Sequence, residues 1–175
     1  AVLHEMVKLD EFIDLLIPRG GAELIRFVAR ESTMPAITGG IGVCHAFVDA
    51  SARSDMAANI IFNAKVQRPT VCNALDTVLI HAKAAPKLLP IICGPLAESG
   101  VELRCDKRSL SQLGPKSLNY ARTANPDDFG QEFLGLVLSI KTVDSMEEAI
   151  DHIFTYGSGH SEAIITEDDA SAMEF

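Results

Sequence analysis

What most limits the folds open to this chain is the alternation of two periods along it. Short apolar runs at 13–17, 43–48, 77–80, 101–104, 134–143 and 163–166 read as strands. Between them, at 22–30, 54–65, 84–98, 145–156 and from 168 onward, apolar residues recur at the spacing of one helix face. Strands alternating with helices predict an α/β fold with a largely parallel sheet flanked by helices. Residues 1–8 read as the middle of a further helix, and 106–128 as surface loop with short elements. Local punctuation sharpens the boundaries. Ser145, Met146, Glu147 and Glu148 form a capping-box sequence, and Gly157 closes the helix that it opens. Asp49 and Ser51 suit an N-cap. Pro90 and Pro95 interrupt 84–98, and Pro95 implies a kink or a break there.

The stretch Asn63-Ala64-Lys65-Val66-Gln67-Arg68-Pro69-Thr70-Val71-Cys72-Asn73 lies where a helix hands over to a strand. Pro69 denies the helix a donor and pushes Arg68 out of the helical region. Cys72 is thereby set on a turn, where functional side chains concentrate. With Lys65 and Arg68 just upstream, its thiolate gains stabilising positive charge, and sulfur is well suited to attack an acyl carbon. The competing reading is a small buried hydrophobe, since free cysteine is among the most buried residue types. On spacing alone the buried reading leads.

Composition excludes several classes of function. A formal net charge of −9 argues against nucleic acid, which needs a basic surface. No dense Lys/Arg cluster marks a membrane surface, and no apolar run approaches the ~20 residues that span a bilayer. The start of the chain lacks the basic and apolar regions of a signal peptide. Cys44, Cys72, Cys93 and Cys105 show neither a CxxC pair nor clustering with histidine, so neither a metal site nor a disulfide framework is expected. A reduced, cytoplasmic setting follows. Cys44, Cys93 and Cys105 read as plain core or surface thiols, and His45 as a structural histidine.

Four segments carry a resemblance to a known family. They are 13–21, ending in Pro18-Arg19-Gly20-Gly21; 38–45, Thr38-Gly39-Gly40-Ile41-Gly42-Val43-Cys44-His45; the 63–73 stretch; and 143–162, from Val143-Asp144-Ser145 through Gly157-Ser158-Gly159-His160-Ser161-Glu162. In this order they resemble γ-glutamyl phosphate reductase, a branch of the aldehyde dehydrogenase superfamily. The resemblance implies an aldehyde-dehydrogenase-like catalytic domain at 37–175, truncated at its C-terminus. It also implies that 1–36 is the last strand-helix unit of a Rossmann-like, dinucleotide-binding domain. The implied reaction is NADPH-dependent reduction of L-glutamyl 5-phosphate to L-glutamate 5-semialdehyde, with loss of phosphate, in proline biosynthesis. As a fragment, the chain is then expected to be inactive by itself and to bind NADPH weakly, which a fluorescence titration checks.

The same resemblance assigns roles. Cys72 becomes the nucleophile, and its own backbone amide a donor to the oxyanion. Gly20 and Gly21 lie beside the dinucleotide phosphates, and Glu132 contacts the nicotinamide ribose. Lys65, Arg68, Asn73 and His160 are candidate substrate contacts; Lys65 and Arg68 read equally well as solvated helix-end cations and Glu132 as a loop acid, while for His160 a hydrogen-bonded structural role comes first. No metal is implied, and the whole protein is expected to be a homo-oligomer. Hydrolytic members of the superfamily carry a Glu where this chain has Ile37, which favours reduction over oxidation. Another acylating aldehyde dehydrogenase and a non-enzymatic α/β scaffold are the competing functions.

Overall fold

The apolar runs of residues 42–175 become strands because each finds a parallel neighbour to satisfy its backbone. The computed structural model describes residues 2–175. It divides into two compact units, Ala1–Ile41 and Gly42–Phe175. The smaller unit holds helices α1 (Val2–Met6) and α2 (Ala22–Glu31). The apolar run at 13–17 does not extend into a strand there. It makes one isolated parallel bridge, Leu16 to Ala36, because only the segment around Pro35 and Ile37 is offered for pairing. A unit of this length buries little, and Phe12 and Ile17 stay exposed.

In the larger unit the order is β1 (His45–Val48), α3 (Ser54–Val66), β2 (Thr77–His81), α4 (Ala85–Glu98), β3 (Glu102–Cys105), α5 (Lys107–Leu113), β4 (Ala121–Thr123), β5 (Val137–Val143), α6 (Met146–Tyr156), β6 (Glu162–Ile165) and α7 (Asp169–Glu174). Two 3-10 turns, Pro115–Asn119 and Pro126–Gly130, flank β4. The six strands form one sheet in the order β4-β3-β5-β2-β1-β6, and every pairing is parallel. The α/β fold with a helix-flanked parallel sheet is therefore the one adopted. No helix among the described residues is long and apolar enough to cross a membrane.

Alternation along the central strands divides the core. Ala46, Val48, Val78, Ile80, Leu103, Leu138 and Ile140 face α3 and α4, while Phe47, Leu79 and Val143 face α6. Residues 106–128 hold more order than their sequence suggests, since β4 is three residues long and α5 seven, too short to show a period.

Helix α4 corrects the expectation of a break at Pro95, because one helix runs through both Pro90 and Pro95. Its buried face, Leu88, Leu89, Ile92, Cys93 and Leu96, has unbroken i, i+3, i+4 spacing. Pro86, Pro90 and Pro95 lie on the exposed face, where water can take up the carbonyls that lose their donors. Burying each leucine or isoleucine contributes ~1.5–3 kcal/mol, and four of them together outweigh a proline cost of ~3 kcal/mol each. Helix α6 shows half of the expected capping box. Ser145 accepts from the Glu148 N–H, but the Glu148 side chain takes the Asp144 N–H at 2.8 Å instead of reaching back to Ser145. Gly157 does end α6, in extended rather than left-handed backbone; a Cβ there would lie 2.6 Å from the Ile153 carbonyl.

Beneath α6, His152 is buried against Phe129, Tyr156 and His45. Burial, with help from the Lys141 ammonium and His45, pushes its imidazole down to about 3 from 6.5. A base with a depressed folded value takes its proton more readily when unfolded, so stability falls as pH drops from 6.5 towards about 3. Denaturant unfolding is expected to show a loss between about pH 7 and pH 5 that shrinks in the His152→Gln protein. An equal loss in both proteins would remove His152 as the cause.

Candidate active site

Parallel α/β sheets usually carry ligands at the carboxyl ends of their strands. Here the residues singled out in the sequence gather at the opposite edge. Glu132 precedes β5, Cys72 precedes β2, Cys44 stands in front of β1 and His160 precedes β6. Those four strands are neighbours in that order, β5-β2-β1-β6, so the leading segments line up side by side.

Cys72 is exposed on a double turn that follows α3 and Pro69, with Val71 donating to Arg68 and Ala74 to Val71. Arg68 and Asn73 are exposed on the same turn, and among the described residues neither side chain has a hydrogen-bond partner. The turn is clamped from the side of β1. The thiol of Cys44 donates to the Cys72 carbonyl at 3.3 Å, and Gly42 packs so close that a Cβ would sit 2.0 Å from the same oxygen. The carboxylate of Glu132 accepts the Gly42 N–H at 3.2 Å. Exposed His160 has Nδ1 2.8 Å from Ser161 Oγ and 3.9 Å from Cys44 Sγ. The structure thus brings Cys72, Arg68, Asn73, Glu132 and His160 to one edge.

Lys65 is the exception. The expectation that it meets the substrate fails, because the side chain is 0% exposed. Its ammonium donates to the Leu75 carbonyl at 2.8 Å and stands 3.7 Å from Asp76 Oδ1. The cause is its register on α3, where Ala57, Ile61 and Lys65 follow one another at i+4 on the inward face. Lys65 therefore supports the turn from below.

Asp76 is the residue that the sequence reading missed. Immediately ahead of β2, its carboxylate accepts the Cys44 N–H at 3.3 Å and the Phe133 N–H at 3.1 Å. Its own N–H donates to the Cys44 carbonyl at 3.1 Å. One buried side chain thereby ties together the leading segments of β1, β2 and β5, while Ser158 Oγ, accepting the Val43 N–H at 2.9 Å, ties in β6. Burial pushes the Asp76 carboxyl up and the Lys65 ammonium down, and each partner's charge opposes the other's shift. The signal was present in a lysine on a buried helix face, which needs a carboxylate nearby.

The thiols differ sharply in setting. Burial, then the carboxylates of Asp76 and Glu162, pushes Cys44 up to about 11. Burial pushes Cys105 up to about 12 and raises Cys93 further. Iodoacetamide at about pH 8 is expected to label Cys72 about tenfold or more faster than the other three. Equal labelling would end the case for Cys72 as the reactive thiol.

The smaller unit places Gly20 and Gly21 in the turn that opens α2, with Gly21 at the N-cap. A Cβ on Gly21 would meet nothing within 4 Å.

No family model matches the chain. A curated protein from Chloroflexus aggregans, named γ-glutamyl phosphate reductase, is 50% identical over 99% of this chain and 42% of its own length. A crystal structure of γ-glutamyl phosphate reductase from Thermotoga maritima superposes with a TM-score of 0.88 at 41% identity, covering 99% of this chain and 41% of that one. A propionaldehyde dehydrogenase from Clostridium phytofermentans shares the fold, with a TM-score of 0.70 at 16% identity over 98% of this chain and 46% of that one. The chain thus spans about two-fifths of the curated relatives that it matches.

Proposed function

We propose that this chain, matched along nearly its whole length by γ-glutamyl phosphate reductases, carries the nucleophile of an enzyme that reduces L-glutamyl 5-phosphate to L-glutamate 5-semialdehyde. The observation that carries the reading is the exposed Cys72, on a turn that a glycine, a second thiol and a buried carboxylate hold in place. The Cys72 sulfur attacks the acyl carbon, the bond from that carbon to the phosphate oxygen breaks, and phosphate leaves the acyl group as a thioester. The Cys72 N–H has no acceptor among the described residues and is the donor assigned to the developing oxyanion. Arg68 and Asn73 are assigned to the substrate's anionic groups, a guanidinium fork being suited to phosphate and carboxylate alike. His160 is assigned to the substrate side of the same edge.

NADPH is the assigned reductant, with Gly20 and Gly21 proposed for it in the smaller unit and Glu132 in the larger. In the smaller unit, a Cβ on Gly21 would meet nothing within 4 Å, and that open space at the N-cap of α2 supports a phosphate contact there. Glu132 has committed Oε1 to Gly42, which leaves Oε2 to accept from a ribose hydroxyl. When bound, the nicotinamide supplies the hydride that reduces the acyl carbon. The four free cysteines support the reducing cytoplasm as the setting. Assembly as a homo-oligomer is proposed on the family likeness alone.

The test is the reverse reaction, on the longer protein that contains this chain. Glutamate 5-semialdehyde and NADP are expected to give NADPH only when phosphate is present, and Cys72→Ser to abolish it. Equal turnover of propionaldehyde would point to another acylating aldehyde dehydrogenase. Phosphate-independent turnover would sink the acyl-phosphate chemistry.

A further inference from the structure

Away from the thiol, a cavity of about 360 Å³ lies at the other edge of the sheet, where β3 and β4 end and β5 approaches its end. Its position follows from the topology. Strands β3 and β5 are neighbours, but the chain leaves them for opposite faces. It leaves β3 through α5, whose Leu110 and Leu113 pack against one core cluster, and β5 through α6, whose Ala149 belongs to the other. Adjacent strands whose outgoing connections diverge leave a crevice between them, and open α/β sheets place ligands there.

The lining offers donors and few acceptors. Lys107 is exposed at the rim. Lys141 Nζ lies 3.3 Å from His152 Nδ1 and 3.4 Å from Glu148 Oε1. An ammonium at Nδ1 places the imidazole proton on Nε2, which is buried and has no partner among the described residues. The carboxylate of Asp106 is already committed: Oδ1 accepts from the Ser109 and Thr142 N–H groups, and Oδ2 from that of Arg108. Glu148 is partly committed through Oε2 to the Asp144 N–H. Phe129 and Tyr156 supply an aromatic wall. Two cations beside an aromatic wall, with the Asp106 oxygens taken by N–H groups and Glu148 meeting Lys141 through one oxygen only, select a ligand that carries acceptor oxygens at one end of an apolar body.

We propose that this cavity binds a small organic carboxylate with a flat apolar body, its oxygens on Lys141 and Lys107 and its body against Phe129 and Tyr156. The site is separate from the thiol edge and does not depend on the reductase reading. Benzoate titrated into the isotope-labelled chain and followed by amide NMR is expected to give saturable shifts around Lys107, Ala124, Phe129, Lys141 and Tyr156. Benzamide, its uncharged counterpart, is expected to bind about tenfold or more weakly, and Lys141→Met to weaken benzoate by a similar factor. If Lys141→Met does not fold, Lys107→Met carries the same comparison. Equal binding of benzoate and benzamide, shifts confined to the Cys72 turn, or shifts that never saturate would each overturn the proposal.

Discussion

Gly42→Ala is expected to cut the proposed reductase turnover of the longer protein about a hundredfold, because it moves Cys72 without touching the sulfur. The added methyl would sit 2.0 Å from the Cys72 carbonyl oxygen, and non-bonded carbon and oxygen need about 3.3 Å. The neighbour is backbone, so no rotamer change relieves the clash. Either the turn moves by an ångström or the strand lead of β1 does. Gly42 is tied down by its N–H to Glu132, and Cys44 by the Asp76 carboxylate, so the turn is the softer side. The loss is expected mainly in kcat, with overpacking costing ~1–3 kcal/mol of stability. Steady-state kinetics and a denaturant melt check both. Turnover within a few fold of the parent would show that the close approach does not fix the position of Cys72.

How far the sequence revealed this site depends on how local each part is. The turn itself was legible, since Pro69 ends the helix, Thr77 begins a strand, and the short connection leaves Cys72 at the surface. The parallel sheet was legible for the same reason, from alternation within short windows. Two contacts were not. Gly42 and Cys72 are thirty residues apart, and no periodicity shows that their backbones touch. Asp76 reads as an ordinary acid before a strand until the sheet order puts the leads of β1 and β5 on either side of it. The Lys65 error has a different origin. Proximity in sequence to Cys72 suggested a role at the surface, whereas its i+4 register with Ala57 and Ile61 turned it inward. Register within the helix decided where that charge went.

Asp76→Leu is expected to cost about 3–5 kcal/mol of folding stability, because it strands the Lys65 ammonium among apolar side chains. It also leaves the Cys44 and Phe133 N–H groups without the acceptor that they share. Lys65→Met is expected to cost less, since Asp76 keeps those two donors and can take up a proton. The two substitutions therefore differ in their pH dependence. Burial holds the Asp76 carboxyl above its ordinary 3.8, and Lys65 is the charge that pulls it back down. A carboxyl raised in the folded state binds its proton more readily there than when unfolded, so its penalty is present at neutral pH. That penalty is relieved as pH falls through the raised value towards 3.8. Without Lys65 the raised value climbs further, so Lys65→Met is expected to recover stability between about pH 7 and pH 5, a recovery Asp76→Leu cannot show. Unfolding in denaturant at both pH values separates the cases. If Asp76→Leu stays within about 1 kcal/mol of the parent, the buried pair does not hold the strand leads together. The edge that presents Cys72 would then be set by Gly42 and the backbone of the turn alone.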